Sequence, residues 1–261
     1  MTKVMVHLRA LPYIAIRENG GCMNINPDVK SVGELALEVP HAIAILEKWK
    51  IDYCCHGKQS VTDACARAGV DVGELLAAIG GDRKVEEEQK WQSEPLVALT
   101  QYIVETHHVF TREIIETIRV LANKVAMRHG DNHPEVIAVN TLAQALCDEL
   151  IPHMFKEEHV LFPYIESMEA GQNAASCFGT VANPIRMMMM EHENAGELLL
   201  KLRGATNNYT LPGDACLSFR ALYERLVDLE QDLHVHIHLE NNLLFPRALT
   251  LEETPNECCA K

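Results

Sequence analysis

The sequence has no long apolar run. Near its start the only candidate is ALPYIAI, which Pro12 interrupts and Arg17 ends, with no small-residue cleavage site behind it. Neither a membrane span nor a signal peptide is therefore expected. There is no basic run either: 37 acidic residues face 23 basic ones, a formal charge of -14, which argues against nucleic acid or an anionic membrane as a partner. Glycine and proline are scarce, 14 and 11 of 261 residues, and the long segments carry helical periodicity rather than alternation, so an all-α chain is expected. Nine cysteines make an odd number with no framework spacing. In a chain of this size that points to a reducing, cytoplasmic setting with free, catalytic or metal-binding thiols.

Regular patterning begins at Ser31, and residues 1–30 are read as a disordered extension. Residues 31–80 form a small helical domain: a short helix, a break at Pro40, a second helix that can pack Ile43, Leu46 and Trp49 on one side, and two more. Ser60 and Asp63 resemble a capping box that opens a helix ending at Gly69, and a further helix from Val72 ends at Gly80 and Gly81. The adjacent pair Cys54 and Cys55 stands out. Neighbouring Cα atoms lie about 3.8 Å apart, closer than the about 4.4 to 6.8 Å of an ordinary disulfide. The two thiols are better placed to react outward or to bind metal, with His56 and Lys58 near enough to favour thiolate; the plainer alternative is two ordinary buried cysteines. Residues 81–93 are charged and poor in apolar side chains, and read as a linker. Residues 94–250 carry four long helices, and 251–261 form a tail.

The most informative stretch is DLEQDLHVHIHLENNLLFPRAL, residues 228–249. Leu222, Leu226, Leu229 and Leu233 continue into His236 and Glu240 and then Leu243 and Leu244, so the histidine and the glutamate share the apolar face of one helix. The rival pair His234 and His238 belongs to a series through Tyr223, Val227, Glu230 and Asn241 and reads as solvated. A glutamate on a core face is costly unless compensated, by an ion pair or by a metal. His153 and Glu157 repeat the arrangement: both segments read HxxxE and then LFP. The first long helix, running on from Pro95, brings His107 and His108, and periodicity slightly favours His107 without deciding. The second runs from about Glu135 to Met168, with kinks possible at Pro152 and Pro163, and His159 falls on its outer side. Asn183 followed by Pro184 reads as an N-cap, opening a third helix that Gly204 ends and that carries His192 inward with Glu191 at its edge. The methionine run 187–190 reads as core and flank. The fourth helix opens near Pro212. Imidazoles with carboxylates and no thiolate suit iron, manganese or zinc. Glu105-Thr106-His107-His108 is the only Glu-x-x-His, so the ferritin-like pattern fails and the set is nearer to haemerythrin.

GELAL and DYCCHGKQS followed by HMFKEEHVLFP, EHENAGELL and HLENNLLFPRAL resemble the di-iron iron-sulfur cluster repair proteins, the repair-of-iron-centres family, over about residues 31 to 250. The resemblance implies a small amino-terminal domain with a Cys-Cys pair, then a haemerythrin-like up-down four-helix bundle over 94–250 holding two non-haem, oxygen-bridged irons. It places the ligands at His108, His153, Glu157, His192, His236 and Glu240. The dipeptide Arg112-Glu113, four residues on, selects His108 over His107. Glu191 matches an acid beside the site that is not a ligand, and Cys54 and Cys55 match the family's thiols. The chain departs at His56, where many relatives have glycine, and over its first 30 residues.

The function implied is repair of iron-sulfur clusters damaged by nitric oxide or peroxide, by iron donation or by nitric oxide removal at the metal centre. The partners implied are damaged iron-sulfur proteins, with nitric oxide or oxygen as the small ligand; a homodimer is left open, as is turnover of nitric oxide as an enzyme. The rival readings are an oxygen or nitric-oxide sensor, which needs an output domain, and iron storage or carriage, which needs a cavity or a large oligomer.

Overall fold

The computed structural model describes residues 14–18, 21–39, 41–79, 90–172 and 178–253, in two units divided between residues 90 and 91. The expected features at Pro40, at Gly80 and Gly81, over 81–89 and over 254–261 lie outside the described residues.

In the first unit, β1 (Ile14–Glu18) pairs antiparallel with β2 (Gly21–Ile25), Ile14 opposite Ile25. A disordered extension is expected over 1–30, whereas 14–18 and 21–25 pair as strands; Ile25 is buried in the core of the unit, which ties β2 to the helices. Helix α1 (Val32–Glu38) opens on a capping box of Ser31 and Glu34, and α2 is Ala42–Lys48. Helix α3 (Val61–Ala68) starts where Ser60 Oγ accepts the Asp63 N–H and stops at Gly69, whose φ of 70° is left-handed. Helix α4 (Val72–Ile79) packs its Leu75, Leu76 and Ile79 with Leu35, Leu46 and Val61.

The division falls inside the expected linker and within α5 (Lys90–Ser93); in the second unit Trp91 lies against Tyr102 at 4.5 Å between ring centroids. Helix α6 (Leu96–Tyr102) follows Pro95, and the Glu169 carboxylate accepts the Leu96 and Val97 N–H groups at 2.7 and 2.9 Å, satisfying two donors that a helix start leaves open. The long helices are α7 (Val109–His129), α8 (Glu135–Lys156), α10 (Ala182–Ala205) and α11 (Leu217–Leu239), with α9 (Phe162–Glu169) prolonging α8 and α12 (Phe245–Glu253) prolonging α11. Helix α8 packs on α7 and α10, and α7 packs on α11. The ion pair of Arg203 with Glu230, 3.0 Å, joins α10 to α11 and closes the four-helix bundle. Two boundaries differ from expectation. Helix α10 begins at Ala182, so Asn183 sits inside the first turn and its amide donates to the Phe178 carbonyl. Helix α11 begins at Leu217 rather than near Pro212, because Pro212–Ala215 is taken up by a turn in which the Ala215 N–H donates to the Pro212 carbonyl.

Three wide π turns interrupt the bundle, at Ile103–His108, Glu157–Leu161 and Glu240–Leu244. The last two precede the LFP prolines. Pro163 and Pro246 have no N–H to give the carbonyl four residues back, and the preceding Phe162 and Phe245 N–H groups donate five residues back, to Glu157 and Glu240.

Candidate metal centre

The π turns aim side chains inward that a regular helix would spread around its circumference. At Ile103–His108 the upstream buried series Leu96, Leu99 and Ile103 continues to His107, whereas Thr111, Ile115 and Ile118 downstream continue back to His108, so both histidines are buried. Two overlapping groups of donors result, His108, His236, Glu157 and Glu240 in one and His153, His192, Glu157 and Glu240 in the other. Each hairpin of long helices supplies one histidine from its first helix and one HxxxE pair from its second, and each group takes one histidine from each hairpin.

The ring nitrogens are arranged for a cation. His108 Nδ1 meets Glu158 at 2.6 Å, His153 Nδ1 meets Glu191 at 2.9 Å, and His192 Nδ1 donates to the Asn241 oxygen at 2.9 Å. A donor role at Nδ1 leaves the Nε2 lone pair facing inward. There the Nε2 atoms of His108 and His236 are 3.2 Å apart and those of His153 and His192 3.1 Å apart. They stand 3.1 to 3.3 Å from oxygens of Glu157 and Glu240. With the rings neutral, as a metal requires, lone pairs face lone pairs and make no hydrogen bond, which leaves all four oxygens of these two fully buried carboxylates without a donor. The donor set therefore fits metal, with the two glutamates common to both groups.

Without metal the charges partly compensate one another. Burial and the charge of Glu240 oppose ionisation of Glu157, yet His153 and His108 hold its carboxyl below the usual range. Burial likewise opposes ionisation of Glu240, and His236 and His192 hold it well below. Burial would neutralise His108 and His153, but the glutamates raise both, His153 to about 10. For His236 burial wins and its pKa is lowered.

Glu191 touches His153 and also pairs with Lys156, beside a cavity of about 310 Å³ that reaches His153, His192 and His236. Sequence reasoning missed Glu158 and Asn241; the signal was their place immediately after each glutamate of the two HxxxE pairs. The pair His234 and His238 reads as solvated in sequence, whereas His238 is buried with its Nδ1 against the Asn242 amide at 2.9 Å, and Glu230 of the same series is buried against Arg203. A polar stripe can be buried when each member has a partner.

Cys54 and Cys55 belong to the other unit. Neither forms a disulfide; their Sγ atoms are 3.7 Å apart, Cys54 buried and Cys55 partly exposed. Asp52 Oδ1 accepts the Cys54 and Cys55 N–H groups at 3.0 Å each and faces the Cys54 thiol, while Oδ2 meets His56 Nδ1 at 2.6 Å. The expectation that His56 and Lys58 favour thiolate fails at Cys54: the neighbouring Cys55 thiol, burial and the Asp52 carboxylate push its pKa well up.

The Hemerythrin HHE cation binding domain matches residues 100–248, and a Domain of Unknown function (DUF542) matches residues 28–82. The iron-sulfur cluster repair protein YtfE of Escherichia coli O81 (strain ED1a) is 38% identical over 221 residues, 85% of this chain and 97% of that protein. The YtfE of Musicola paradisiaca (strain Ech703) is also 38% identical over 221 residues, 84% of this chain and 96% of the relative. A bundle matched by a cation-binding domain, behind a small domain shared with these relatives, means that the chain belongs to the iron-sulfur cluster repair protein family.

Proposed function

We propose that this chain repairs damaged iron-sulfur clusters and that two non-haem iron ions, held by His108, His153, Glu157, His192, His236 and Glu240, are the working centre. The observation that carries the reading is the convergence of four imidazole Nε2 atoms on two fully buried carboxylates to which the neutral rings give no hydrogen bond. Iron held there supplies exchangeable metal and open coordination for a diatomic ligand such as nitric oxide or oxygen. Glu158, Glu191 and Asn241 hold three of the rings with their lone pairs inward. Phe162 and Phe245 lie parallel to His108 and His192, both at 5.9 Å between centroids, and help to keep bulk water off the rings. The clients are proteins whose iron-sulfur clusters have been damaged, in a reducing cytoplasm.

The test is metal analysis with Mössbauer and optical spectra of protein purified without added iron, followed by recovery of an aconitase-type enzyme damaged with nitric oxide. Two irons per chain and faster recovery than with the Glu157→Leu variant are expected. One zinc per chain, or equal recovery with that variant, overturns the reading.

A further inference from the structure

The two hairpins of the bundle correspond residue by residue around the site. His108 answers to His192, His153 to His236, Glu157 to Glu240, Glu158 to Asn241, and Phe162 to Phe245. The residue before the first-helix histidine breaks this correspondence: it is Glu191 in one hairpin and His107 in the other. Glu191 accepts the Nδ1–H of His153 and is itself held by Lys156. His107 instead turns its Nδ1 to Asp232 at 2.9 Å and lies flat beside His236, 5.5 Å between centroids with 9° between ring planes. Among the described residues nothing hydrogen-bonds His236 Nδ1 or His107 Nε2, although both atoms are buried.

We propose that the two metal positions are unequal: His108 and His236 hold their ion more loosely than His153 and His192 hold theirs, and His107 is the positioning residue that sets the difference. The inference rests on the iron reading above. The partner of a ligating imidazole fixes the ring and makes Nε2 a better donor, and losing such a partner costs about 10- to 100-fold in metal affinity. The position built on His153 and His192 has both rings anchored, by Glu191 and Asn241. The position built on His108 and His236 has only the Glu158 anchor, on His108. A centre with one loosely held and one firmly held ion can give up a single iron without emptying.

The test uses the full chain loaded anaerobically with iron(II) and then challenged with excess ferrous chelator, with release followed optically. Release in two phases of equal amplitude is expected, the faster by at least about tenfold. In His107→Gln the amide oxygen can take the His236 Nδ1–H while its NH2 keeps Asp232, so the fast phase should slow by about tenfold. In Glu191→Leu the slow phase should accelerate by a similar factor. His107→Ala removes the ring without adding an acceptor and should keep two phases, with helix content checked by circular dichroism. Release of both irons at one rate, or an unchanged fast phase in a folded His107→Gln, overturns the proposal. Fewer than two irons per chain before the challenge is a failure of the iron reading instead.

Discussion

The Phe162 N–H donates to the Glu157 carbonyl five residues back, so the wide turn that Pro163 follows is the turn that begins at a fully buried carboxylate. Phe245, Glu240 and Pro246 do the same in the other hairpin. The proline ring removes the N–H that would close an ordinary turn and crowds the carbonyl four residues back. Replacing both prolines by alanine lets the ordinary ladder compete. One residue fewer in the turn rotates Glu157 and Glu240 by about 100° relative to the helix beyond. Pro163→Ala/Pro246→Ala should keep its helix content by circular dichroism and bind fewer than two metal ions per chain after gel filtration. Full loading would mean that core packing, and not proline, sets the turns.

The first π turn makes a separate prediction. His108 is inside one group of donors, whereas His107 is outside both and is turned to Asp232. His108→Ala should therefore lower the metal content by about one ion per chain, since a position losing one of its two imidazoles binds weakly, and His107→Ala should leave the content near wild type. Metal analysis under saturating, then dialysed conditions checks both, and the reverse result would put His107 in the site.

These same residues show what sequence could carry. The leucine stripe leading to His236 and Glu240 was legible because α11 is regular from Leu217 to Leu239, so a count of 3.6 per turn holds. The count fails at His107 and His108 because the turn at Ile103–His108 is wider than an α-turn. The pair His234 and His238 reads as solvated because its series is mostly polar, and the partners of the buried His238 and Glu230, Asn242 and Arg203, become visible only with the helices in place. The repeated LFP was legible as a repeat, but not as a device for wide turns, since proline alone specifies a break and not its form. The pairing of 14–18 with 21–25 is not legible because two five-residue strands give a short pattern, and its anchor is the burial of Ile25.

Metal uptake should release a proton. In the metal-free chain burial presses His153 toward neutrality, but Glu157 and Glu191 raise its pKa to about 10, from about 6.5 in the unfolded chain. A pKa raised by folding contributes stability that is complete below about pH 6.5 and is lost as the pH rises through about 10. Glu157 and Glu240, both lowered, contribute stability present above about pH 4.5 and lost as the pH falls through their folded values. Binding metal requires neutral His153, so loading near pH 7.5 should expel about one proton from that ring, and apparent affinity should rise up to about tenfold per pH unit between about pH 7 and 9. Calorimetry in buffers of different ionisation enthalpy measures this directly. Loading without proton release would show that His153 is already neutral.

The thiols of the first unit should matter to repair and not to the metal centre. No cysteine belongs to either group of donors in the bundle, so Cys54→Ala/Cys55→Ala should leave the iron content and spectrum unchanged. The two thiols are not equivalent. Cys54 is buried, with its sulfur toward Asp52 and its pKa pushed well up, while Cys55 is partly exposed. Any exchange with a client or a small ligand should therefore start at Cys55, and Cys55→Ala alone should slow recovery of a nitric-oxide-damaged, aconitase-type enzyme nearly as much as the double variant. Cys54→Ala should cost stability through a lost buried side chain, by about 1 kcal/mol, and slow recovery less. The check is recovery against time for the four proteins, matched for iron content and kept strictly reduced. Equal rates for all four would leave repair to the bundle alone, and a larger effect at Cys54 than at Cys55 would mean that the turn opens before it reacts.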